Sequence, residues 1–177
     1  MYHKWKSCHL TRWNQIPNVG LYLEQVTKYL NEQLAILSCP PLTGSMISNY
    51  VKKGLVKNPV KKQYDREHIA LLLLLGIVKC TLPLDTVQFL LSDPCLTTQQ
   101  GFDWYMEVTE AAFCGMQFGT EIPSIVDTPL GDALLLTAYQ QYVVQRCTKA
   151  QQEQTAPAMP GYGFAAPQKD DDSEETL

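Results

Sequence analysis

Between Ile69 and Val78 the chain runs Ile-Ala-Leu-Leu-Leu-Leu-Leu-Gly-Ile-Val without a single polar side chain. Asp65 just before it is a helix N-cap residue, and Glu67 puts a carboxylate in the first turn, so the stretch reads as a helix from Arg66 to about Cys80. A helix that is apolar all round has no solvent face and must be covered on several sides. It is also too short to span a bilayer, which takes about 20 apolar residues. The run is therefore the centre of a folded domain, and the rest of the chain has to supply its wrapping. At 177 residues and 45% hydrophobic content the chain is long and apolar enough to do so.

The wrapping elements announce themselves by periodicity. After Ile16-Pro17-Asn18, the residues Leu23, Val26, Leu30, Leu34 and Leu37 recur at steps of three and four, which predicts an amphipathic helix. Cys39-Pro40-Pro41-Leu42 breaks it. Thr43 or Ser45 then caps a second helix, with Ile47, Val51 and Leu55 on one stripe and Ser45, Ser48, Asn49 and Lys52 on the other side. Tyr50 adjoins the apolar stripe and reads equally as core or surface. Gly54 offers the positive φ that closes a helix, and Asn58-Pro59 marks a turn beyond it.

Pro83 opens a further short helix that Asp93-Pro94 ends, a natural boundary between two halves. In the second half, Phe102, Tyr105, Thr109, Ala112 and Met116 share one face of a helix from about Thr98 to Phe118, with Met106 and Phe113 beside it. A stripe of this kind is usually core. After the loop from Gly119 to Asp127, Thr128-Pro129 launches a last helix carrying Leu134, Leu135, Ala138, Tyr142 and Val143. Two helices make a thin core, so they must pack on the first half, on a partner chain, or on both. From about Gln154 the composition turns to Pro, Gly, Ala and Gln and then to an acidic cluster from Asp170 to Glu175, which predicts a disordered tail. The expected organisation is a polar arm over 1–15, a helix-turn-helix domain over 16–93, a helical dimerisation or effector region over 94–153, and the tail over 154–177.

Charge is placed, not diffuse. From Thr43 to His68 the cations Lys52, Lys53, Lys57, Lys61, Lys62 and Arg66 face only Asp65 and Glu67, a local charge of about +4, whereas the whole chain is at -4. A basic helix, a glycine stop and a lysine-rich turn in one local unit suit a phosphate backbone. The residues that follow from this reading are Ser45, Ser48, Asn49 and Lys52 for base or backbone contacts, Lys53, Lys57 and Arg66 for electrostatics, and Lys61, Lys62 and Tyr64 for flanking phosphate.

The same residues carry a family resemblance. Asn49-Tyr50-Val51-Lys52-Lys53-Gly54-Leu55-Val56, then Pro59, then Lys62-Gln63-Tyr64-Asp65, resembles the recognition helix, wing and following helix of the MerR-type winged helix-turn-helix. Leu84 to Leu91 stands where that family places its next short helix. The stretch from Trp13 to Leu91 is similar to an uncharacterised bacterial family, a domain of unknown function usually described as MerR-like. The resemblance implies an all-α or nearly all-α fold with a reduced wing, since only five residues separate Asn58 from Tyr64. It also implies double-stranded DNA as partner and a homodimer on paired half-sites, although Ser45 and Ser48 stand where the family generally carries arginines. The alternative is a helical protein-interaction module on the same scaffold, docking through the Lys52 to Lys62 surface.

Other function classes find little support. Cys8, Cys39, Cys80, Cys95, Cys114 and Cys147 are scattered without a Cys-x-x-Cys pair, which predicts reduced, mostly buried thiols. His3, Cys8 and His9 cluster near the N-terminus without metal-ligand spacing. His68 reads as a capping or packing residue, and no catalytic constellation, P-loop or dinucleotide fingerprint is visible. The expectation is a non-enzymatic protein without cofactor and without a membrane partner. With no basic-then-apolar leader segment, its expected location is the cytoplasm.

Overall fold

A computed structural model describes residues 9–118 and 128–152. The segments 1–8, 119–127 and 153–177 lie outside the described residues, and with them His3, Cys8, the loop expected from Gly119 to Asp127 and the tail expected from Gln154. Among the described residues the order is β1 (Leu21–Tyr22), α1 (Leu23–Leu34), α2 (Gly44–Lys52), β2 (Gln63–Tyr64), α3 (Arg66–Val78), α4 (Leu84–Leu90), α5 (Gln99–Phe118) and α6 (Pro129–Gln152). The chain is mostly helical. Its small sheet pairs β1 with β2 antiparallel, Leu21 opposite Tyr64 and Tyr22 opposite Gln63. No helix among the described residues is long and apolar enough to cross a membrane.

α3 is the central element that its composition demands. Every residue from His68 to Val78 is buried. Val26, Leu30 and Leu34 of α1 cover one side of the core, and α6 and the short turn Pro94–Thr97 also pack on α3. Gly76 makes the closest approach possible. A Cβ there would stand 2.9 Å from Leu34 Cδ1 and 3.4 Å from Leu42 Cδ1, so both leucines occupy the space a larger residue would need.

The expected boundary at Asp93-Pro94 is not a break in packing. One buried cluster runs from Leu10 through α3 to Phe102, Phe113, Leu134 and Ala138, and the hydroxyls of Thr81 and Thr137 meet across the two halves at 2.8 Å. The arm expected over 1–15 is likewise part of the body from Leu10 onward, with Leu10 and Thr11 buried. The reason is electrostatic as much as apolar. Glu110 of α5 accepts from the Arg12 guanidinium at 2.9 Å and from the Leu10 amide at 3.1 Å, and Asp103 accepts from the Trp13 amide at 2.6 Å. The Trp13 ring then sits edge-on to the fully buried Phe102.

In α5 the expected face is buried from Phe102 to Ala112, with Met116 half-buried. α6 departs from expectation. Its buried face is Leu130, Ala133, Leu134, Thr137, Ala138 and Gln141, whereas Leu135 and Tyr142 are half-buried and Val143 is exposed. Leu134 and Ala138 lie inside as expected, while the rest of the inner face is rotated to Leu130, Ala133, Thr137 and Gln141, which leaves Val143 outside.

Gly101, in the first turn of α5, is a position where alanine would ordinarily improve a helix by about 1 kcal/mol. Here an added Cβ would fall on the backbone carbonyl of Cys95. Gly101→Ala is expected to destabilise the protein by about 1–3 kcal/mol through overpacking, read as a lowered urea midpoint at constant slope.

Candidate nucleic-acid interface

α2 is held to the body at both ends. The chain entering it is clamped by Asn31, whose side chain donates to the Leu42 carbonyl at 2.8 Å and accepts from the Leu42 amide at 2.7 Å. Thr43 is the cap, its hydroxyl accepting from the Met46 amide at 3.2 Å. Ile47 and Tyr50 point into the core. The helix closes in a Schellman arrangement: Gly54 adopts φ 74°, its amide donates to Val51, and the Leu55 amide reaches back to Tyr50 at 3.0 Å. Leu55 and Val56 then plug the chain back into the core.

Tyr50, which adjoins the apolar stripe, proves to be a core residue. Burial pushes its hydroxyl above the usual value, and the Lys79 ammonium donates to it at 3.4 Å while lying 6.0 Å from the ring centre. Lys79 approaches α2 from the end of α3 and lies outside the basic segment read from the sequence. Only the packing of α3 against α2 brings it there.

The opposite face of α2 is open to solvent. Ser45, Asn49, Lys52 and Lys53 are exposed and Ser48 is half-buried. Beyond the helix, the lysine pair forms a tight turn. The Gln63 amide donates to the Val60 carbonyl at 2.9 Å, and both central residues are left-handed, Lys61 at φ 51° and Lys62 at φ 64°. Two positive φ values across such a bond define a type I′ turn, whose usual residues are asparagine and glycine. A lysine in this region costs about 1–2 kcal/mol. The turn persists because its root is fixed, Gln63 and Tyr64 being paired to β1 and Asp65 capping α3.

That cap is a reciprocal pair with His68. The Asp65 carboxylate accepts from the His68 amide at 3.1 Å, and the His68 ring nitrogen Nδ1 lies 2.6 Å from the same oxygen. Partial burial of the Asp65 carboxyl raises its pKa, but the contacts with His68 outweigh this and hold it below the usual carboxylate value. His68 thus caps and packs, edge-on to Tyr64.

Three residues of the expected phosphate-contacting set have other occupations. Tyr64 is buried at 5% exposure because β2 turns its ring onto α3, which removes it from the exposed surface. Arg66 donates to the Ile16 carbonyl at 3.1 Å and lies over the Trp13 ring, so its guanidinium ties down the arm. Lys57 is exposed but stands 3.9 Å from the Glu67 carboxylate, an ion pair that offsets its charge. Lys52, Lys53, Lys61 and Lys62 carry no ion pair among the described residues, and all four are exposed. No group of three or more His, Cys, Asp or Glu side chains among the described residues is placed to hold a metal ion.

A protein-family model described as a domain of unknown function, DUF1836, matches residues 11–109. No curated protein and no solved structure matches the chain.

The strain at the lysine turn has a direct consequence for stability. Replacing Lys61 by Asn and Lys62 by Gly gives the turn its preferred residues and is expected to raise the unfolding free energy by about 1–2 kcal/mol, measured by chemical denaturation.

Proposed function

As this chain belongs to the DUF1836 family, whose description assigns no activity, we propose from its own geometry that it is a DNA-binding transcriptional regulator with a MerR-like winged helix-turn-helix. One observation carries the reading: a turn with two exposed lysines, held in a left-handed backbone at local cost, follows a capped helix whose outer face is polar and cationic. Strain of this kind is kept where a side chain has to be presented. The order of elements supports it as well. A strand precedes α1 and pairs with the strand after α2, which roots the hairpin beside the helix as a reduced wing.

In this mechanism α2 enters the major groove with Asn49 and Ser45 toward the base edges, and Lys52 and Lys53 reach the groove wall. Ser48, half-buried, adds a backbone contact. Lys61 and Lys62 grip flanking phosphate. The role assigned to the protein involves no catalytic step and no cofactor.

A homodimer is part of the same proposal. On α6 the exposed residues Leu136, Tyr139, Val143 and Val144 fall at i, i+3, i+7 and i+8, an apolar stripe on a face that no described element covers. Paired half-sites need a two-fold partner, and a helix stripe at this spacing suits self-association. Leu136→Lys combined with Val143→Lys should convert a dimer into a monomer by light scattering with helicity retained. A wild-type protein already monomeric at tens of micromolar would remove the dimer from the proposal.

The second reading is a protein-interaction module on the same scaffold, docking an acidic partner through the Lys52 to Lys62 surface. It is favoured by the Lys57–Glu67 pair and by a wing no longer than one turn.

Substitution separates the two. Lys61→Ala with Lys62→Ala is expected to weaken binding to all duplex DNA about equally and to make the salt dependence shallower, because phosphate contacts release counterions and carry little sequence information. Asn49→Ala is expected to cost about 1–3 kcal/mol at a selected site and almost nothing on random sequence. If the wild-type protein shows no salt-sensitive association with duplex DNA at low ionic strength, the regulator reading falls and the interaction module stands.

A further inference from the structure

A cavity of about 370 Å³ opens between the start of α3 and the segment that leads into β1, lined by Trp13, Asn18, Asp65, Arg66 and Glu67. None of the four exposed lysines of the candidate interface borders it. Its charges are of both signs and do not cancel one another. Asp65, Arg66 and Glu67 are consecutive, and adjacent positions at a helix start do not face each other, so no ion pair joins Arg66 to either carboxylate. The Arg66 guanidinium uses its Nε on the Ile16 carbonyl at 3.1 Å, and its two terminal nitrogens make no hydrogen bond among the described residues. Glu67 has only the 3.9 Å contact with Lys57, and Asn18 is exposed.

We propose that this cavity binds a free α-amino acid, its carboxylate on Arg66 and Asn18, its ammonium between Asp65 and Glu67, and its side chain against the Trp13 indole. The sign of the lining selects the class. A simple anion entering the cavity would meet two carboxylates, and a simple cation would meet the guanidinium, whereas a zwitterion satisfies both at once. The planar fork of an arginine also matches the two oxygens of a carboxylate. A cavity of this size lies in the range that takes small ligands.

Most of the walls are set before anything binds. Asp103 holds the Trp13 amide at 2.6 Å, and the indole stands edge-on to Phe102 with the Arg66 guanidinium 5.9 Å from its ring centre. Asp65 is oriented through its Oδ1, which meets the His68 amide at 3.1 Å and the His68 ring at 2.6 Å. A ligand therefore orders few side chains on entry, which lowers the entropic cost of binding. It also joins the segment from Trp13 to Asn18 to the first turn of α3, alongside the Arg66–Ile16 bond.

The test uses the full chain and no DNA, so its result is independent of how the lysine surface is read. Each of the common amino acids is titrated to millimolar concentration while thermal unfolding is followed. At least one is expected to raise the unfolding midpoint in a saturable way, because a ligand that binds only the folded state stabilises it by mass action. Its N-acetyl derivative and its amide each lack one of the two charges, as the C-terminal and N-terminal residues of a peptide do, and each is expected to bind about tenfold more weakly or worse. Glu67→Gln is expected to weaken binding severalfold, and Arg66→Lys about tenfold, since an ammonium offers no fork. The proposal is overturned if no amino acid shifts the midpoint, if either capped derivative binds as tightly as the free amino acid, or if Glu67→Gln leaves the affinity unchanged. Glu67 is exposed and its one ion pair is long, so that variant keeps the fold and decides the matter even if an Arg66 variant does not.

Discussion

Everything in this protein hangs on a helix that cannot face water. From His68 to Val78 α3 is buried without a break, and each leucine removed from solvent contributes about 1.5–3 kcal/mol before the entropy of ordering is set against it. Because α3 has no polar side, it cannot be satisfied by one partner. α1, α6 and the turn before α5 share the work, so the first and second halves of the chain are bound into one body. Gly76 decides how tightly. Its missing side chain lets Leu34 and Leu42 seat against the helix, which fixes both the end of α1 and the entry to α2.

The candidate interface is suspended from this core. Ile47 and Tyr50 anchor the inner face of α2, Leu55 and Val56 anchor its exit, and Tyr64 anchors the return of the hairpin. Between these fixed points the chain has little freedom, which is how two lysines can be kept in a backbone region they disfavour. The charged tips project outward while all the restraint lies beneath them. Pairing is also sorted by depth: Arg66 and Lys79, nearer the body, hold neighbouring elements, whereas Lys52, Lys53, Lys61 and Lys62 stay exposed.

Much of this was legible in the sequence where periodicity or a local cap governs. α1, α3, α5 and the Pro83-capped α4 follow from apolar spacing, Asp65 and Pro83, and Gly54 closes α2 as its position suggests. Less accessible was whatever tertiary contact decides. Nothing local to Arg12 announces Glu110, so the segment from Leu10 to Gln15 reads as part of a polar arm although it is docked. Tyr64 and Arg66 looked like members of a basic surface because charge and aromaticity carry no sign of which way a short strand turns its side chains. In α6 the apolar spacing reaches Leu134 and Ala138 but not Ala133, Thr137 and Gln141, because packing against the neighbouring helices sets how the helix is rotated.

The pairing of β1 with β2 bears on the order in which the molecule assembles. These strands are only two residues each, yet joining them closes the whole span from Leu23 to Lys62 into a loop. So short a ladder cannot repay that closure entropy unaided. It has to wait until α1 and α3 have docked and brought their N-terminal ends together. The hairpin is therefore a late event in folding, and the first to open when the native state breathes locally. Amide exchange at Gln63 and Tyr64 would then run ahead of exchange in α3, and the presentation of the two lysines would register the integrity of the helical core behind them.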